Sequence, residues 1–173
     1  MLAFYDPPTG MVAARHWDKL GYLLADFRLT TADHLDGIAA LFWPEHGWVV
    51  VFTGNGQLRA QLLGEQGGHP WGSEGRVLAS SGVSAPRPRL VLDTTLSVVS
   101  LWQGTTEGQA RTLAQRIDAE GHVLWKSPAE VGEAGFVEAE RLQNAEVGVM
   151  LRKAGATKPY GILLDAEGVV RLR

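Results

Sequence analysis

The chain has 173 residues, a net charge of −3, no cysteine and 45% hydrophobic residues. That length supports one domain with a sizeable core or a short array of repeats. The charge balance argues against a protein that tracks a phosphate backbone, so no nucleic-acid partner is expected. The missing cysteines exclude disulfides, thiol nucleophiles and thiolate metal sites.

In chain order the apolar runs are short. They read "LAFY", "MVAA", "YLLADF", "IAALFW", "WVVVF", "LRAQLL", "RLVL", "LSVVSLW", "RTLAQRI", "HVLW", "VGVML", "YGILL" and "VVRL". Most are rich in Val, Leu and aromatics and are bounded by Gly, Pro, Asp or Asn, which is the pattern of strands. Two segments carry helix-forming composition. "TTADHLDGIAALF" has possible caps at Thr31 and Asp33 but is interrupted by Gly37. "SPAEVGEAGFVEAERLQNAE" is broken by Gly and Pro. Each is read as loop or a short helical turn. No run nears the roughly 18 apolar residues needed to cross a bilayer, so no membrane partner is expected. The opening "MLAFYDPPTG" lacks a basic region, a long apolar run and a cleavage pattern. No signal peptide is expected, and the chain reads as cytoplasmic or assembled into a virion.

A hairpin pattern recurs along the chain. "AQRIDAEGHVLW" (Ala114 to Trp125) reads as a strand, an acidic turn and a second strand, and "GILLDAEGVVRL" (Gly161 to Leu172) repeats its plan. "ARHWDKLGYLLADF" places Asp18 and Gly21 where Asp118 and Gly121 stand, and "RAQLLGEQGGHPWG" places Gly64 and Gly67 there. The turn glycines fall at 21, 67, 121 and 168. Gln61 and Gln115 precede their turns. Trp71 and Trp125 follow theirs, at a position held by Ala25 and Leu172 in the outer copies.

Each hairpin is preceded by another apolar strand, and three of them by one more. The connection between the second and third strands is tight at "GNG" and expected to be longer at "GTTEG" and "AGATK". The fold expected is all-β: about four propeller-like repeats of four-stranded antiparallel blades, the first incomplete. Their approximate bounds are 1–30, 31–79, 90–131 and 136–173, with a linker at 80–89. The longer loop 72–89 reads as a linker rather than a contact arm. Trp43, Trp48, Trp102 and Trp125 are expected to fill the space between blades.

The stretch "LSVVSLWQGTTEGQARTLAQRIDAEGHVLWKSP" resembles a repeat found in many bacterial extracellular and cell-surface proteins. Val98 to Trp102, Ala114 to Asp118, Gly121 and Leu124–Trp125 carry the likeness. That resemblance implies a β-propeller fold and no activity. It departs from the pattern in lacking a signal and in having about four blades. The opening also resembles the start of some phage structural proteins, through a Y-D-P-x-T-G turn.

Motifs of catalysis and ligation are sparse. Histidines stand at 16, 34, 46, 69 and 122. "DHLD" around His34, with Asp33 and Asp36, lies in an expected loop and reads as a solvated turn rather than a metal site. His69 and His122 are expected to face solvent at strand starts. Asp18, Asp118 and Asp165 recur with the repeat, which argues for turn formation rather than acid–base work. The "DAEG" turns lack the ligand spacing of a calcium loop. "GNGQLRA" (Gly54 to Ala60) joins two strands and is a hairpin turn, not a phosphate loop. Serines 80, 81, 84, 97, 100 and 127 have no assignable His or Asp partner.

No catalytic, cofactor-binding or metal-ligating residue is assigned, and no cofactor. The first unit opens without a leading strand, which leaves either a three-stranded blade or an open edge. A non-catalytic structural or assembly module is therefore expected. It would form a homo-oligomer or bind a protein partner across a sheet edge or blade surface, as in a phage-like particle. The alternatives are a glycan- or protein-binding, lectin-like propeller fragment and, further off, a small hydrolase.

Overall fold

The computed structural model describes every residue except 1, 7, 32–34, 65–67, 81–82, 84–87, 134, 154 and 173. The chain is all-β, with four antiparallel sheets and no helix among the described residues. Sheet 1 comprises β1 (Leu2–Asp6), β2 (Met11–Trp17) and β3 (Leu23–Thr31). Sheet 2 holds β4 (Leu35–Trp43), β5 (Gly47–Gly54), β6 (Gln57–Leu63) and β7 (Arg76–Ala79). Sheet 3 holds β8 (Arg89–Leu92), β9 (Val98–Thr106), β10 (Gln109–Ile117) and β11 (Ala129–Gly132). Sheet 4 holds β12 (Gly135–Arg141), β13 (Val147–Arg152), β14 (Tyr160–Leu164) and β15 (Val170–Leu172). In every sheet each strand pairs with its neighbour in sequence.

Both segments of helix-forming composition are strands. "IAALFW" lies in β4, which pairs with β5 from Leu35↔Gly54 to Trp43↔Gly47. "FVEAERL" begins in β12, whose Ala139 pairs with Val149 of β13. Ladder pairing and a covered face override the local preference of Ala and Glu. "GNG" is a two-residue turn: Asn55 and Gly56 both take positive φ, 54° and 73°, as a type I′ hairpin requires. The connection at "GTTEG" is just as short. β9 runs on to Thr106 and β10 starts at Gln109, with Glu107 and Gly108 at φ 52° and 76°. The extra residues lengthen the strands and leave the loop tight.

The period-2 alternation of the strands builds three apolar layers between the sheets. Along β5, Val49 and Val51 join the layer shared with sheet 3, while Val50 and Phe52 join the layer shared with sheet 1. Along β9, Val98 and Trp102 face sheet 2, while Val99 and Leu101 face Val147, Val149, Leu151, Ile162 and Leu164 of sheet 4. Strands covered on both faces read as unbroken apolar runs, which explains "WVVVF" and "LSVVSLW". The first strands of successive sheets run side by side: β1 packs on β4, β4 on β8, and β8 on β12. Within the expected linker, Val83 is buried in the layer between sheets 2 and 3 and forms an isolated bridge to Gly104.

"HVLW" is not the second strand of its hairpin. Val123 makes a single bridge to Ile117, Leu124 N donates to Arg116 O, and regular pairing resumes only at β11. The corresponding stretch of sheet 2, residues 69–75, is equally irregular before β7. A glutamine explains both. Gln61 Nε2 donates to Gly72 O at 2.7 Å while Gln61 Oε1 accepts from Leu62 N. Gln115 Nε2 donates to Trp125 O at 3.1 Å while Gln115 Oε1 accepts from Arg116 N. The amide fills the gap between the hairpin strand and a backbone that has moved away from it. Sheets 1 and 4 carry Arg15 and Ile162 at that position. There the strands pair directly, Arg15↔Asp26 and Ile162↔Leu172.

Candidate functional site

The recurring turn is the unit from which the surface is built. In sheet 1, Asp18 Oδ1 accepts from Leu20 N at 2.8 Å and Tyr22 N at 2.9 Å. In sheet 3, Asp118 Oδ1 accepts from His122 N at 2.7 Å. In sheet 4, Asp165 Oδ1 accepts from Glu167 N at 3.1 Å and Val169 N at 2.8 Å. Each carboxylate is engaged with its own turn, as short acidic side chains favour. The three recurring acids stand on turns of different sheets and are not brought together.

In two cases the displaced tryptophan covers the turn of the next sheet. Trp71 Nε1 donates to Ala119 O at 2.9 Å, and Arg76 Nε donates to Gly121 O at 2.9 Å. One sheet further on, Trp125 Nε1 donates to Ala166 O at 2.9 Å, and Arg116 Nη1 donates to the same oxygen at 2.8 Å. A side chain beneath either ring would crowd it. A Cβ on Gly121 would lie 2.8 Å from Trp71 Cδ1, and one on Gly168 would lie 3.0 Å from Trp125 Cδ2. Trp71 and Trp125 are buried in these positions. They join sheet 2 to sheet 3 and sheet 3 to sheet 4.

The third turn of this kind is bare. A Cβ on Gly21 would meet nothing within 4 Å, and the turn is ringed by Leu20, Tyr22, Leu23 and Leu24, which are 74%, 68%, 52% and 59% exposed. Four large apolar side chains exposed in five residues form a patch of the kind that marks an interaction surface. The apolar run "YLLADF" reads as a buried strand, and its exposure is a finding of the structure. The local sequence carries no signal for it, because each covered turn is covered by a tryptophan from the preceding sheet.

These contacts order the glycine substitutions. Gly21, Gly121 and Gly168 share φ values of 88°, 84° and 82°. Alanine at Gly21 is expected to cost about 1–2 kcal/mol of backbone strain. At Gly121 and Gly168 overpacking against the indole adds roughly 1–3 kcal/mol. Denaturant midpoints of the three variants check the order; equal losses would remove the role given to the rings.

The other candidate residues are dispersed. His34 and Asp33 lie outside the described residues. His69 does not face solvent: it is half-buried edge-on to Phe27, with ring centroids 6.3 Å apart. His46 packs on Trp43, and His16 on Trp48. His122 is exposed, with Nδ1 3.0 Å from Asp118 Oδ2. Asp118, Glu120 and His122 bring ligand-type atoms within 4.8 Å of one another, but Asp118 already serves the turn. Ser100 is buried, and its Oγ has no partner among the described residues.

Sequence reading also missed a buried ion pair. Asp93 Oδ2 lies 2.7 Å from Arg116 Nη2, with the Asp93 side chain fully buried and Arg116 nearly so. Asp93 Oδ1 accepts from Thr95 N, Thr95 Oγ1 and Ser97 N, forming a further turn of the same type between β8 and β9. Arg116 Nη2 also donates to Thr95 Oγ1 at 2.7 Å. The guanidinium thus ties the β8–β9 turn to the turn of sheet 4.

No protein-family model matches the chain, and no curated protein matches it at a significant level.

Proposed function

We propose that the chain is a propeller-like structural or assembly module that acts by binding protein surfaces through its sheet edges and faces. The observation that carries this reading is the edge of β1. In the other sheets β5, β9 and β13 each pair with a preceding strand, β4, β8 and β12. β1 stands at the same point of the repeat, and among the described residues it pairs with β2 alone. An unpaired edge is a template for a strand from another chain. The side-by-side first strands support blades set about a common axis. The engagement of Asp18, Asp118 and Asp165 in their own turns supports a role without bond-making chemistry. A component of a phage-like particle is the form of this role that the opening turn resembles.

Light scattering or mass photometry at micromolar concentration tests the reading. A mass that is a multiple of 18.7 kDa, or a defined ring or particle in electron micrographs, is expected. A strictly monomeric protein that captures glycans at several equivalent sites would favour a lectin-like module instead.

A further inference from the structure

The exposed apolar side chains of this chain gather at one end of its sheets. Neighbouring strands are antiparallel throughout, so the turns after even-numbered strands lie at one end and those after odd-numbered strands at the other. Contacts between sheets join like ends. His16 packs on Trp48 with ring centroids 5.9 Å apart, Trp71 Nε1 donates to Ala119 O, and Ala145 N donates to Thr94 Oγ1 at 2.7 Å. Among the described residues twelve large apolar side chains are exposed, and ten of them lie at the end of the even-numbered turns. All four sheets contribute, with Leu20, Phe42, Leu124 and Val169 as one instance from each. The other two, Met150 and Leu172, lie along strands of sheet 4. Turns 55–56, 107–108 and 153–159 at the opposite end contribute none. The ten together expose roughly 1,000 Å², where each partner of a stable pair covers about 800 Å².

One of the ten is held there at a cost. Leu96 takes φ 59° and is 43% exposed. Asparagine and glycine adopt that backbone more readily than leucine, and the side chain joins none of the three apolar layers. An outlier without an internal use points to an external one. The charges of this end set a limit on self-association. Three ion pairs there are internal, Asp93–Arg116, Glu74–Arg59 and Asp165–Arg171. Beyond them Asp18, Glu45, Asp118, Glu120, Glu146 and Glu167 outnumber Lys19, Lys126, Arg76 and Arg141. Two such ends repel through their carboxylates while their apolar surfaces attract.

We infer that a second copy of this chain docks on this surface, the even-turn end of one protomer against the even-turn end of the other about a two-fold axis. The opposite end offers no matching apolar surface, so a head-to-tail stack would leave these side chains poorly covered. The inference rests on the assembly reading and names its partner and surface. A two-fold contact closes at a dimer and leaves the sheet edges free for further contacts.

Sedimentation velocity on wild type, Leu20→Asp, Leu96→Asn and Thr157→Asp tests it. All three positions are exposed, so Leu20→Asp and Thr157→Asp should keep the wild-type melting temperature and Leu96→Asn should match or exceed it. Leu20→Asp should weaken dimerisation at least tenfold and Leu96→Asn severalfold. Thr157→Asp, at the opposite end, should leave it unchanged. Raising NaCl from about 0.05 M to about 1 M should tighten the wild-type dimer by screening the carboxylates. If wild type associates and both Leu20→Asp and Leu96→Asn associate as tightly, this surface is wrong while the assembly reading survives. A wild-type dimer that high salt dissociates also overturns this surface, since opposite charges would then hold it. A wild type that is strictly monomeric at both salt concentrations overturns both readings and leaves this end to a partner of different sequence.

Discussion

Replacing Trp125 with alanine should destabilise the fold by about 3–5 kcal/mol, the usual cost of removing a buried aromatic ring. For a chain of this size that lowers the melting temperature by roughly 6–20 °C. The ring supplies two separable things. One is apolar packing over Gly168, beside Ala129 and the layer shared by sheets 3 and 4. The other is the N–H donated to Ala166 O. Phenylalanine keeps most of the first and loses the second, so Trp125→Phe should cost the packing difference plus about 0.5–1.5 kcal/mol for the hydrogen bond. The oxygen is not orphaned in that variant, because Arg116 Nη1 still donates to it. Trp71→Ala should behave alike, since Trp71 holds Ala119 O and covers Gly121 in the same way. Urea denaturation followed by far-ultraviolet circular dichroism reads these losses. A change below about 1 kcal/mol in both alanine variants would contradict the latch.

Removing the Arg116 side chain should be as severe. Arg116→Met leaves the Asp93 carboxylate buried without its counter-ion, and breaking one side of a buried pair costs about 3–5 kcal/mol. The remaining oxygen still accepts from Thr95 N, Thr95 Oγ1 and Ser97 N, so the turn keeps its shape while the charge is stranded. Asp93→Asn tests the converse: the amide oxygen serves the turn, and Arg116 is left without its carboxylate. The double variant Arg116→Met/Asp93→Asn strands no charge. Its loss should fall short of the sum of the single losses by about 1–3 kcal/mol, the range of coupling for groups in one network. Additive losses would show that the two side chains do not act as a unit.

How far the fold could be read from the sequence follows from which forces are local. Strand identity was legible because alternating apolar residues and Gly, Pro and Asp punctuation are local signals. They set "WVVVF" and "LRAQLL" as neighbours joined by Asn55 and Gly56. The acidic turns were legible for the same reason, since Asp118 bonds within four residues of itself. Around Ala39 and Ala139 the composition favoured loop or helical turn while "IAALFW" and "FVEAERL" also read as strands, and pairing with β5 and β13 decides for strand because it outweighs a propensity of a few tenths of a kcal/mol per residue. The path of "HVLW" was not legible as a strand pattern. Its departure depends on Gln115 bonding Trp125 O and on a carbonyl of the next sheet receiving the indole. The same holds for Asp93 and Arg116, which meet because the β8–β9 turn lies beside the end of β10 within sheet 3. The exposure of Leu20, Tyr22, Leu23 and Leu24 was hidden for the opposite reason: an apolar run reads as buried unless what should cover it is known to be elsewhere.

The inner strands of this series are covered on both faces, yet its first turn and last strand are left with apolar side chains in water. That contrast, beside the edge of β1, supports the association we propose. A cryo-electron microscopy map of the assembled protein tests it most directly. The expected map buries Leu20, Tyr22 and Leu172 against neighbouring copies of the chain. A map of the assembly in which Leu20, Tyr22 and Leu172 still face solvent would contradict it.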